Sequence, residues 1–133
     1  MKDALQEIYL RLMSNSKIEQ ATLNANKHAI FYYKEPDGTL PPTLILIRPY
    51  SPPQYKLSAS DSGMQQSVTV QIDVQSTKRM ACKELQAEIE KELRQIGYRR
   101  LNGQDLDEYF EDSKRYVDAR RYKLNTKIYE MGY

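Results

Sequence analysis

The sequence has no tryptophan, one cysteine, one histidine and five glycines, and each shortage closes a class of chemistry. Cys82 has no partner for an internal disulfide, and its place in a helical pattern suits a small buried packing residue. His28 and Cys82 stand alone, without the paired spacing that metal ligation or a catalytic dyad requires. The scattered glycines make neither a Walker loop nor a dinucleotide fingerprint. No run approaches the roughly 18 apolar residues of a membrane span, and the N-terminus MKDALQEIYL lacks the apolar core of a secretion signal. A soluble chain made in a cytoplasm is therefore expected. Charge of one sign is not in excess either: 20 basic against 18 acidic residues leave a formal +2. That balance argues against bulk phosphate binding while leaving a local basic face open. No catalytic residue, metal site or cofactor is expected, and the chain reads as a non-enzyme.

What is present is a fold pattern. At 133 residues the chain suits a single domain, 1–133, large enough to bury one core. Eleven tyrosines against two phenylalanines favour interfaces as readily as core edges, because tyrosine is amphipathic. Ser67 to Ser76, SVTVQIDVQS, alternates strictly. Val68, Val70, Ile72 and Val74 point to one side of a strand, while Thr69, Gln71, Asp73 and Gln75 are expected on a wet side. A long helix follows from about Lys78 to Ile96, with Leu85, Ile89, Leu93 and Ile96 in one stripe and Gly97 as its left-handed stop. The stripe is expected to lie on the valine face of the strand.

Around this unit the spacing predicts an N-terminal helix over residues 2–13, carried by Leu5, Ile8, Tyr9 and Leu12. A connecting loop with at most one helical turn is expected through about residue 27. Ala29 to Lys34 and Thr43 to Tyr50 are expected as strands joined in a hairpin by EPDGTLPP. The stretch from about 50 to 66 reads as an exposed loop or drawn-out hairpin tip. Tyr98 to Leu101 suits a short strand, the acidic segment DLDEYFEDSK either a short helix or an exposed loop, and Arg115 to Tyr129 a long half-buried final strand. The expected class is α+β: an antiparallel or mixed sheet of about four to five strands with helices on one face.

Two charged sets bear on function. Asp105, Asp107, Glu108, Glu111 and Asp112 lack the ligand spacing of a calcium loop and read as a solvated face. Arg99, Arg100, Lys114, Arg115, Arg120, Arg121, Lys123 and Lys127, interleaved with Tyr98, Tyr116 and Tyr122, suit a nucleic-acid surface or electrostatic pairing between copies of the chain.

The order helix, hairpin, long loop, V-x-V-x-I-D-V-x-S strand, amphipathic helix with a G-Y stop and closing charged strand resembles the tail terminator, or tail-to-head joining, proteins of long-tailed, siphovirus-type bacteriophages. The matching pieces are 68-VTVQIDVQS-76, 78-KRMACKELQAEIEKELRQI-96 with 97-GY-98, and 116-YVDARRYKLNTKIY-129. The resemblance spans most of the length and rests on the order and size of elements. It implies a virion protein at the head-proximal end of a tail, made in the bacterial host cytoplasm. Six copies would form a ring on the last ring of the tail tube, stop tube growth and meet the head connector, while DNA passes through unread. The implied partners are thus further copies, the tail tube protein and head-tail connector proteins. Another connector subunit (a stopper), a minor tail protein or a nucleic-acid-binding module are the alternatives. Candidate contacts are Tyr50, Gln54, Tyr55, Lys56, Asp61, Asp105, Asp107, Glu108, Glu111, Arg120 and Arg121. The acidic segment or neutral polar residues, rather than Arg120 and Arg121, are expected to face the bore, because a basic lumen would retain passing duplex.

Overall fold

The computed structural model describes residues 2–50, 54–57, 64–103, 105–127 and 131–132. In chain order the elements are β1 (Lys2–Asp3), α1 (Ala4–Met13), α2 (Ser16–Thr22), β2 (Leu23–Asn24), β3 (Lys27–His28), β4 (Ile30–Tyr32), β5 (Thr43–Pro49), β6 (Gln54–Leu57), β7 (Met64–Ser76), α3 (Arg79–Gln95), β8 (Arg99–Arg100), β9 (Leu106–Phe110), β10 (Arg115–Lys127) and β11 (Met131–Gly132). The class is α+β.

The central pair is β7 with β10, antiparallel from Tyr116 opposite Ser76 to Lys127 opposite Gln65. Each of these long strands takes two short partners end to end along its outer edge. β7 carries β5 and β6, and β10 carries β9 and β8. With β4 beyond β5 the sheet reaches seven strands, more than the alternating runs alone suggested, because the partners are too short to display a period of two. β1 and β11 pair parallel as a separate two-stranded sheet.

All three helices cover one face. Val68, Val70, Ile72 and Val74 meet Leu85, Ile89 and Leu93 of α3, Leu5, Ile8 and Leu12 of α1, and Ile18 of α2 in one buried cluster. Each such aliphatic side chain contributes about 2 kcal/mol by leaving water. α1 starts where the Asp3 carboxylate accepts from the backbone N–H groups of Leu5 and Gln6, at 3.0 and 3.3 Å. α3 stops at Gly97, whose φ is +96°. A side chain there would also crowd Leu124, since a Cβ would lie 2.9 Å from its Cδ1.

Two expectations of the chain path change. The link after α1 holds α2 rather than a single turn. Asn15 caps it by accepting from Lys17 and Ile18 N–H, and the same side chain donates to Glu88 and Glu92 of α3 at 3.0 and 2.9 Å. β4 and β5 are parallel, with Ile30 opposite Ile45 and Tyr32 opposite Ile47, so they are not a hairpin. The intervening residues 33–42, turned by Tyr33 and Gly38 at positive φ, carry the chain back to the starting end of β4 before β5 begins. A parallel pair needs such a crossover, whereas a hairpin closes over a tight turn. Of the two readings of 50–66, exposed loop or drawn-out hairpin tip, the described part agrees with the hairpin: β6 pairs antiparallel with Met64 to Ser67 of β7, and residues 58–63 lie outside the described set.

The two long strands are fastened from the helix side. Gln86, wholly buried on α3, donates to the carbonyls of Ile72 and Asp118 at 2.9 and 2.7 Å and accepts from the Tyr122 hydroxyl at 3.2 Å. Lys83 reaches Asp118 at 2.6 Å and Asp107 at 2.5 Å, holding β9 and β10 to the same helix.

Candidate assembly surface

Residues opposite one another in a ladder share a face, so the second face of the sheet can be read from its registers. It carries Leu46 and Arg48 of β5, Thr69, Gln71, Asp73 and Gln75 of β7, Val117, Ala119, Arg121 and Lys123 of β10, Leu106 and Glu108 of β9, and Arg99 of β8. Its apolar cluster, Ala29, Leu44 and Leu46 with Phe31 and Leu40, contains no helical residue. This face was expected to be wet. Instead Thr69, Asp73 and Gln75 are buried, because neighbouring side chains fold across them. The Asp73 carboxylate accepts from Gln71 Nε2 at 2.9 Å and is ion-paired with Arg48. Burial pushes that carboxyl up from its ordinary range, while Gln71 and Arg48 pull it back.

At the end of the face near β9 lies an open groove of about 690 Å³. Leu40, Leu46 and Val117 line it together with Leu106 and Phe110, and Glu35, Glu111 and Asp112 add the acid. Leu106 and Phe110 remain exposed. The acidic segment that supplies this wall is a strand, not a helix or a free loop. LDEYF pairs residue by residue with Arg115 to Ala119, and residues 111–114 make the turn, with Lys114 at φ +56°. The aromatic pair Tyr109 and Phe110 suits a pleated surface, and Tyr109 packs against Tyr116 with centroids 4.8 Å apart. Every residue of β9 is exposed, and β10 is its partner among the described strands. Its outer edge is therefore a row of backbone donors and acceptors open to another chain.

The opposite end of the face is basic. Arg99 is exposed and lies beside Lys123 in the ladder. Arg121 donates from Nε to Gln71 Oε1 at 3.0 Å and lays its guanidinium 3.7 Å from the centre of the Tyr50 ring.

The structure thus joins some of the sequence candidates and separates others. Tyr50 and Arg121 meet at the basic end. Glu108 and Glu111 stand on the acidic side, but Asp107 points to the helix side and is held by Lys83, and Asp105 is paired with Arg100. Arg120 leaves its neighbour altogether. On the helix face it pairs with Asp118 at 3.0 Å and approaches Glu90 at 3.9 Å, with its side chain 15% exposed. Gln54, Tyr55 and Lys56 belong to β6, and Asp61 lies outside the described residues. Leu40, Leu106 and Phe110 were not singled out from the sequence. No periodic signal marked the last two, because L-D-E-Y-F does not alternate apolar with polar: Glu108 lies between Leu106 and Phe110 on their face.

Among the described residues, no three His, Cys, Asp or Glu side chains gather as a metal site would require, and no described helix is long and apolar enough to cross a membrane. Burial raises the Cys82 thiol to about 11, the opposite of an activated nucleophile.

No family model matches the chain, and no curated protein matches it. Among solved structures it is similar to a chain from the virion of a native gene transfer agent (GTA) particle, with a TM-score of 0.62 and 13% sequence identity. The likeness covers 92% of this chain and 93% of that one. At this identity what the two share is the fold, over nearly the whole length of both.

Proposed function

We propose that this protein is a structural subunit of a virion tail, acting through assembly rather than catalysis. Copies of the chain close into a ring, hexameric by the phage tail terminator resemblance, on the last ring of the tail tube. The ring ends tube growth and presents a surface to the head connector, while DNA passes without specific binding. The observation that carries the reading is the near full-length likeness of fold to a virion chain, reached independently of the sequence pattern that resembles tail terminators. The structure adds support: among the described residues no helix packs on the second face of the sheet, and an exposed edge strand borders it.

The test is solution mass with negative-stain imaging of the purified chain, alone and mixed with tail tubes of its own particle. Rings, or caps at one tube end that block elongation, are expected. A chain that stays monomeric and ignores tubes would remove the reading. Arg99, Lys123 and the Arg121–Tyr50 stack favour a second reading, a nucleic-acid surface. That reading requires DNA retention that weakens steeply with salt, and absence of retention at low salt dismisses it.

A further inference from the structure

The helix-free face is electrically divided along its strands. Glu108, Glu111 and Asp112 stand at the groove end, where with Glu35 they outnumber the exposed Lys114 of the same turn and the buried Arg115, Arg48 being paired with Asp73. Arg99 and Lys123 stand at the other end, and among the described residues none of Glu108, Glu111, Asp112, Arg99 and Lys123 has an ion-pair partner. Val117 and Lys123 mark the two ends on β10, about 20 Å apart at the rise of a strand. Charges left unpaired inside a chain whose total is almost neutral suit a partner with the reverse arrangement. The chain itself has that arrangement.

We propose that this face is the joint between copies: the acidic groove end of one chain receives the basic end of the next, head to tail. The inference rests on the ring reading above and says which surfaces make the ring. Leu106 and Phe110, exposed beside the acids, supply the apolar area that desolvates when the joint closes, and the charges set its polarity and register. Because the two patches occupy different places on the chain, the contact is heterologous. Each copy uses one patch on either side, and a suitable rotation closes the series into a ring.

Charge reversal with cross-complementation tests this. Glu111→Lys with Asp112→Lys makes both ends basic, and Arg99→Glu with Lys123→Glu makes both ends acidic. Arg99→Glu alone serves as the second variant should the strand position at Lys123 not tolerate the change, since Arg99 is exposed. Sedimentation velocity at low and high salt reads the assembly, and circular dichroism establishes that each variant is folded. Each variant alone is expected to associate at least about 100-fold more weakly than the parent, the scale of like charges forced together at an interface. An equimolar mixture is expected to regain the parent's assembly mass, because every junction then pairs opposite ends again. Variants that assemble like the parent, or a mixture that stays dissociated, overturn the joint while the ring reading stands. A mixture that stops at two subunits where the parent goes further overturns the head-to-tail arrangement. A parent chain that is monomeric both alone and on tail tubes removes the ring and the joint together.

Discussion

Alanine at position 97 separates two reasons for a glycine that the fold superimposes. Gly97 follows α3 with φ at +96° and sits against the last long strand, where an added Cβ would lie 2.9 Å from Leu124 Cδ1. The backbone part costs about 1–2 kcal/mol, the penalty an L residue meets in left-handed space. The contact part is smaller. Leu124 Cδ1 is the far end of a flexible side chain, so moving it off its preferred rotamer costs about 0.5–1 kcal/mol. A loss of about 2 kcal/mol in a chain of 133 residues lowers the midpoint by about 7 °C at the usual unfolding entropy per residue. Gly103→Ala isolates the first part, since φ there is +78° with nothing within 4 Å of the added Cβ; it is expected to lower the midpoint by about 5 °C. Leu124→Val removes the obstructing methyl, so the double variant Gly97→Ala with Leu124→Val is expected to recover about 0.5 kcal/mol relative to the sum of the singles. Thermal and urea unfolding of the parent and these four variants measure all of this. Gly97→Ala melting within a degree of the parent would refute the backbone argument. Equal losses at 97 and 103 without coupling to position 124 would refute the close approach of helix end and strand.

Two further outcomes follow from the buried polar groups. Gln86→Leu, which leaves the buried Tyr122 hydroxyl and two strand carbonyls without their amide partner, is expected to cost about 2–3 kcal/mol in urea unfolding. Adding Tyr122→Phe should return part of that loss; a double variant less stable than Gln86→Leu would argue against the network. In alkali the sign comes from Cys82 and Tyr122, both of whose pKa values burial raises in the folded chain, Cys82 to about 11. The folded state then holds protons that the unfolded chain releases from about pH 8.5 upward. Stability is therefore expected to fall between that pH and about 11, and Cys82→Ala should flatten the early part of the fall. Denaturant midpoints that rise over this range would contradict the assignment.

How much of this was legible in the sequence depended on the length of each pattern. The β7 alternation, the α3 stripe and the β10 alternation each repeat three or more times. A repeat of that length fixes which side of an element is apolar, and so fixes the class, the helix-covered face and the partnership of α3 with the valines. Shorter pieces carried no such constraint. LDEYF became a strand on the edge that β10 left unpaired and β4 on the edge that β5 left unpaired, since a ladder satisfies backbone groups whatever local propensity prefers, while α2 was decided by its Asn15 cap and the burial of Ile18 in the core. The same holds for the site. Residue types showed that acidic and basic groups existed, but adjacent residues on a strand point to opposite faces. Arg120 therefore went to the helix side and Arg121 to Tyr50, while Asp107 was bound to Lys83 and Glu108 left on the open face. Sequence by itself determined an α+β chain with one helix-backed sheet. The charge division along the opposite face is a product of register, and register exists only once the strands have paired.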